Sequence, residues 1–356
     1  MFVTTFARTP FARVHGALSG YHPAELLSLA LTGLALEVPP TTNVLVGCAQ
    51  PVGAQGSNVG RAATLLAGWN STGAAGIAAG ANSSHQALHL AVSSANTTVV
   101  AGVELMSLVP DGASDLSRNY GPGWGPAKEQ FAERGGLVPF GVASDRVAEA
   151  HGLSRSELDV FAAQQRSTVA GPPPMPVTER TDDREATPAG GAERDADDLA
   201  AVPIEAPPLH DDEGTTAATN ITPAADGAVA LVVEPHPGDT PLARIVHTAT
   251  HAGDPLAALD APGVALRAAL QTAGWSATDL ARIEYDAPSA AAALVLQHQC
   301  GVPVHTSAFA RGRPTGASAL AALGHLATTL APGDVGALLT VSTDGTAAVT
   351  LLERPS

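Results

Sequence analysis

Apolar positions recur along this chain at two periods, and together they predict alternating helices and short strands. Pro23 to Leu36 is an Ala/Leu-rich window that predicts a helix, and Thr42 to Val46 predicts a strand. Gln55 to Ala67 contains a helix, Asn82 to Ser93 is a second, and Thr97 to Val103 is a strand. Ala228 to Val233 and Leu242 to Thr250 predict further strands. Val264 to Ala273 reads as a helix with Gly274 as its stop signal, and Ala317 to Leu330 as a long helix. Ile283 to Tyr285, Val302 to His305, Leu338 to Ser342 and Ala347 to Leu352 are short strands. Residues 111–213 read as an insertion between these elements. Helices alternating with apolar strands predict a layered α/β fold.

Composition narrows this picture. The chain has 356 residues, enough for two core domains. Hydrophobic residues make up 45% but aromatics only 4%, so the core is expected from Ala, Val and Leu. Two cysteines exclude a disulfide framework and suit a reducing, cytoplasmic setting. Residues 1–6 are a short β-prone run, unlike a signal peptide. No uninterrupted apolar run reaches the roughly 18 residues that a membrane span needs.

The formal net charge is −16, and residues 178–213 carry twelve Asp or Glu against three Arg. With Pro172 to Pro174 before it and Gly190-Gly191 and Pro207-Pro208 within it, that stretch reads as a solvated loop. The same acidity argues against a nucleic-acid partner.

Candidate chemistry is sparse. His85 and His89 are an i,i+4 pair able to share a helix face, but no third ligand accompanies them, so no metal is expected. Ser84 and His85 are adjacent and point to different faces of a helix, so they do not form a dyad. Cys48 ends an apolar strand and Cys300 precedes another; both read as small buried hydrophobes. His325 is assigned to the long helix.

A series of short landmarks runs along the whole chain in a recognisable order. These are Arg8-Thr9-Pro10, Gln55-Gly56 with Asn58 and Arg61, Ala101-Gly102 with Glu104 and Met106-Ser107, and Gly152-Leu153-Ser154-Arg155 with Asp159, Phe161 and Ala162. Gly214-Thr215, Asn220, Asp226-Gly227-Ala228, and Gly312, Pro314 and Gly316-Ala317-Ser318 complete the set. The ordered set resembles the thiolase superfamily. The resemblance implies a thiolase-like layered α/β fold of two similar halves with an inserted loop domain. It places the N-terminal half at 1–110 and 214–236, the insertion at 111–213, and the C-terminal half at 240–356.

Thiolases condense or cleave acyl-CoA thioesters with a nucleophilic cysteine at a helix N-terminus. The matching segment here is Ala81 to Ala87, and Ser83 with Gln86-Ala87 sets a register that puts Ala81 at the nucleophile position. Asp286 stands where the family has an Asn, Arg313 replaces the His of the GHP turn, and Val341 takes the second cysteine's place (Leu339 if the register shifts by two). No register recovers two catalytic cysteines. The resemblance therefore implies a degenerate member without thiolytic or Claisen activity, acting as a non-catalytic partner or acyl-binding subunit. An acyl-CoA acyltransferase with altered chemistry is the alternative. Ser83, Ser84, His85, Asn220, Thr222 and Gly316 are the ligand-pocket candidates. No cofactor is expected, an acyl-CoA or acyl ligand is, and the assembly expected is a homodimer or a dimer with an active thiolase. Asp286 and Arg313 are expected to pair across the pocket.

Overall fold

The computed structural model describes residues 1–36, 44–114, 128–133, 138–167, 173–181, 186–187, 214–237 and 240–356. Its strands are β1 (Phe2–Arg8), β2 (Ala12–Arg13), β3 (Val44–Gly47), β4 (Ala74–Ile77), β5 (Thr98–Leu105), β6 (Glu179–Arg180), β7 (Ala186–Thr187) and β8 (Ala225–Glu234). They continue with β9 (Ala243–Ala252), β10 (Arg282–Asp286), β11 (Val304–His305), β12 (Val335–Val341) and β13 (Thr346–Glu353). The helices used below are α1 (Pro23–Gly33), α2 (Val59–Leu66), α3 (Ser83–Ser94), α4 (Lys128–Glu133) and α5 (Phe140–Ala150). They continue with α6 (Arg155–Arg166), α7 (Ala261–Ala273), α8 (Ala290–Cys300), α9 (Ala308–Arg311) and α10 (Ser318–Thr329).

The main sheet runs β11-β10-β12-β13-β9-β1-β8-β5-β3-β4 and falls into two halves of like design. In one, β4, β3 and β5 are parallel, and β5, β8 and β1 are antiparallel. In the other, β11, β10 and β12 are parallel, and β12, β13 and β9 are antiparallel. The halves meet where Phe2 and Val3 of β1 pair with Arg244 and Ala243 of β9. This matches the expected two-half layered fold. Helices α3 and α10 lie in a shared core: Ala87, Leu88, Leu320 and Leu323 pack with Val100, Leu231, Leu338 and Leu352 from both halves.

Local chemistry explains the helix ends. At α1, His22 accepts from Ala24 N while Glu25 accepts from His22 N, a reciprocal cap with Pro23 in the first turn. Ser154 and Glu157 make the same cap on α6. Gly274 and Gly301 end α7 and α8 at φ of 72° each, a left-handed turn that suits glycine. Gly47 and Gly102 serve closeness instead. A Cβ at Gly47 would fall 2.2 Å from Ser84 N, and one at Gly102 would fall 2.3 Å from Gly316 O.

Several elements differ from the sequence expectation. Within 111–213, read as a loop insertion, α5 and α6 are helices whose Val147, Leu158 and Phe161 join the C-terminal core with Leu296 and Phe309. Their apolar positions answer to the other half of the chain, so α5 and α6 are not loop. Helix α8 was not expected, because Ala290 to Ala293 are all buried and give no amphipathic period. Cys300 consequently ends a helix, and the strand expected over Val302 to His305 shortens to β11. The strand expected over Thr97 to Val103 is β5, which runs on to Leu105 and lies inside the sheet between β3 and β8. The start of the strand expected from Thr42, the prolines 172, 207 and 208, and most of the acidic stretch 178–213 lie outside the described residues.

A buried histidine–threonine ladder joins the halves. His85 Nδ1 meets Thr340 Oγ1 at 2.8 Å and its Nε2 meets Thr350 Oγ1 at 2.8 Å. His89 reaches Thr350 at 3.2 Å and Thr250 at 3.4 Å, and the two imidazoles stand edge to face at 4.7 Å. Burial holds the His85 ring neutral, and burial lowers His89 to about 4. A histidine neutral in the fold but cationic when unfolded stabilises fully above about 6.5, and that contribution is lost as pH falls toward its folded value. Glu104 and Asp226, raised by burial to about 7 and about 6, act with the opposite sign. The histidine contribution is therefore read by difference. The stability gap between wild type and His89→Gln should narrow by about 3 kcal/mol between about pH 7.5 and pH 4, at ~1.36 kcal/mol per unit. Urea unfolding across that range measures it, and a gap constant with pH contradicts the neutral-histidine assignment.

Candidate functional site

The site forms where the N-terminus of α3 meets the turn before α10. Ser83 sets the approach to α3: its Oγ donates to Gly80 O at 2.6 Å and accepts from Ala79 N at 2.9 Å. Asn82 Nδ2 donates to Thr346 O at 2.7 Å, which ties this turn to the opposite half. Ala81 is thereby held on the wall of a cavity of about 290 Å³, together with Gln50, Asp111, Thr315, Ser342 and Thr343. A methyl group occupies the position that the motif register assigns to a nucleophile.

Asp286 closes β10 and Arg313 sits in the turn before α10. Arg313 Nε donates to Asp286 Oδ2 at 3.2 Å, and Ser318 Oγ donates to the same oxygen at 2.7 Å. Arg313 is 4% exposed and Asp286 1%, so the expected ion pair exists and is enclosed. It is single-bonded. Arg313 Nη2 and Asp286 Oδ1 are buried with no hydrogen-bond partner, as is Thr315 Oγ1. The Phe140 ring lies 5.4 Å from the Arg313 guanidinium carbon. Arg313 and Thr222 line a second lobe of about 420 Å³ with Met106, Ile221, Ala224 and Pro288. The two lobes share Asp111, Phe140 and Thr315.

The other sequence candidates occupy varied positions. Val341 packs in the C-terminal core, as does Leu339, while the next residue, Ser342, reaches the cavity. His85 is locked in the threonine ladder, and Ser84 Oγ is buried without a partner. Asn220 donates to Asp159 Oδ1 and Thr215 O and accepts from Ala217 N, so it holds a turn together. Gly316 makes room for Glu104, since a Cβ there would fall 2.5 Å from Glu104 Oε2. Of the six pocket candidates, Thr222 lines a lobe, and its hydroxyl donates to Pro288 O at 3.0 Å. Gln50, Asp111, Phe140, Thr315 and Ser342 were not singled out from sequence. Thr315 and Ser342 adjoin motif positions and could have been; Phe140 and Asp111 come from the stretch read as insertion.

Glu104 organises one wall. Its carboxylate accepts from Ala49 N at 2.7 Å, Gln50 N at 3.2 Å and Gln55 Nε2 at 2.5 Å. Burial raises it to about 7 against those three donors. Cys48 sits beside it with its thiol pushed up by burial and then by Glu104, the reverse of what a thiolate nucleophile needs. Cys300 is likewise raised by burial. Among the described residues no group of three or more His, Cys, Asp or Glu is arranged to hold a metal. None of their helices is long and apolar enough to cross a membrane.

Comparison with known proteins identifies the family. The family model for the thiolase N-terminal domain matches residues 1–236, and that for the thiolase C-terminal domain matches 239–354. A β-ketoadipyl-CoA thiolase of Escherichia coli is 30% identical over 366 aligned positions, covering 89% of each chain. An acetyl-CoA acetyltransferase of Rhizobium meliloti is 29% identical, covering 89% of this chain and 88% of its own. Among solved structures, the dimeric peroxisomal thiolase of Saccharomyces cerevisiae superposes with a TM-score of 0.79 at 20% identity, over 99% of this chain and 97% of that one. The Acat5 thiolase from Ascaris suum, solved with coenzyme A, superposes at 0.74 and 20% identity over 99% of each chain. With both domain models spanning nearly its whole length, the chain belongs to the thiolase family.

Proposed function

We propose that this protein binds an acyl thioester in the two-lobed cavity and forms no thiol acyl-enzyme there, serving as a non-catalytic partner or acyl-binding subunit. The observation that carries this reading is the lining of the cavity around Ala81, which among the described residues includes hydroxyls, an amide and a carboxylate but neither thiol nor imidazole. A Claisen or thiolytic cycle needs a nucleophile to take the acyl group and a base to move protons. Arg313 puts a guanidinium, which donates hydrogen bonds and accepts none, at the position the resemblance gives to the base. The acyl ligand itself is supported by the relatives, which are named for acyl-CoA substrates. Two free cysteines fit a cytoplasmic setting.

The second reading is an acyl-CoA acyltransferase with altered chemistry. The relatives support it more directly than the first, since those named are thiolases or acetyltransferases. Ser342, on the cavity wall, is the hydroxyl such chemistry would draw on. Turnover decides between the readings, because a fold does not secure a reaction.

We also propose a dimer. Among the described residues the edge strand on the N-terminal side of the sheet is β4, and α2 packs beside it with Leu65 and Leu66 exposed at 48% and 59%. A solved structural neighbour is described as dimeric.

Three outcomes are expected. Purified protein should show no thiolysis of acetoacetyl-CoA and no acyl adduct by intact-mass spectrometry, since loss of a covalent nucleophile removes several orders of magnitude in rate; ordinary turnover would overturn the first reading. Arg313→Ala should destabilise the fold by about 3–5 kcal/mol, because it strands the buried Asp286 carboxylate. Denaturant titration measures this, and a change under about 1 kcal/mol would contradict the enclosed pair. Sedimentation velocity at micromolar concentration should show a dimer whose interface buries roughly 1,000 Å² or more; a monomer alone would rule out that assembly.

A further inference from the structure

The second lobe bears on which acyl groups the cavity admits, an inference that rests on the acyl-thioester reading above. Its walls are largely apolar, with Met106, Phe140, Ile221, Ala224 and Pro288. Its volume of about 420 Å³ holds roughly a dozen non-hydrogen atoms if each occupies about as much space as a water molecule, ~30 Å³. Among the described residues, two charged side chains line it, Arg313 and Asp111. The Arg313 charge is already matched by the Asp286 carboxylate at 3.2 Å, and Asp111 adds a negative charge held by Gln50 Nε2 at 3.1 Å. Among the described residues an entering carboxylate therefore meets a neutral ion pair and a like charge, and leaves water without gaining an uncommitted cation from them. An uncharged acyl group suffers none of this.

We propose that this lobe selects compact, uncharged acyl groups and rejects acyl groups that end in a carboxylate. The E. coli relative is named for a carboxylate-terminated acyl group, so this chain's preference differs from the one in that name.

The experiment compares butyryl-CoA with succinyl-CoA, two four-carbon thioesters that differ at the terminal group, by isothermal titration of the full-length protein. Butyryl-CoA should bind at least tenfold more tightly. Equal affinities, or tighter succinyl-CoA binding, would overturn the selectivity. Binding of neither would overturn the acyl-thioester reading itself, a separate result. Asp286→Asn removes the charge that neutralises Arg313 and should strengthen succinyl-CoA binding about tenfold. A variant that keeps the wild-type circular dichroism spectrum and shows no such gain would remove Arg313 and Asp286 from the account. If the variant fails to fold, the wild-type comparison still decides.

Discussion

The geometry of the cavity depends on one buried carboxylate. Glu104 lies at the end of a fully buried strand, and its oxygens collect two backbone amides and a side-chain amide from the 49–55 segment. That fixes Gln50, which in turn holds Asp111 and accepts from Ser114 N. Gly316 is a glycine because the same carboxylate stands where its Cβ would go. One side chain thus sets the wall of the first lobe, the start of the segment after β5 and the depth at which the Arg313 turn seats. Burying it unpaired would be expensive; three donors offset much of that cost.

The same logic separates what was readable in the sequence from what was not. Gln55, Glu104, Ser107, Asp159, Asn220 and Asp226 stand out as motif residues, and each is a scaffold hydrogen-bonder. Gln55 Oε1 accepts from Leu105 N, Asp226 accepts from Ser107 N, and Asp159 accepts from Asn220 and Thr219. Buried and half-buried polar groups with fixed partners tolerate few replacements, so they stand out as motifs. The fold could be read from them. The substituted positions Ala81, Asp286 and Arg313 could be found because they sit between such anchors. The Asp286–Arg313 pair followed from opposite charges brought to one small place.

The rest of the site was not legible for a physical reason. Cavity walls are assembled from residues distant in sequence, and a wall position needs only size and polarity. Phe140 contributes from the first turn of α5, within a stretch whose composition reads as loop. Ser342 and Val341 illustrate a one-residue ambiguity: successive residues of an extended chain face opposite ways, so a shift of one exchanges core for cavity. Helix α8 was hidden by its first turn, since Ala290 to Ala293 are all buried and give no periodic signal of the kind that marks a surface helix.

The order of the strands along the chain has a consequence for how the molecule assembles during synthesis. The C-terminal half is contiguous, running from β9 to β13. The N-terminal half is not: its first strand closes against β8, and the Thr9 side chain bonds a carbonyl 219 residues away. A chain emerging from the ribosome at about 5–20 residues per second must therefore wait many seconds before its first strand finds its neighbour. Until then β1 and β5 each expose an unpaired edge, the geometry that invites wrong pairing. Long-range closure of this kind is slow because the entropy of the intervening segment must be spent before any contact is gained. The order of the strands alone makes the N-terminal half the vulnerable part of the nascent protein, whatever its finished cavity holds.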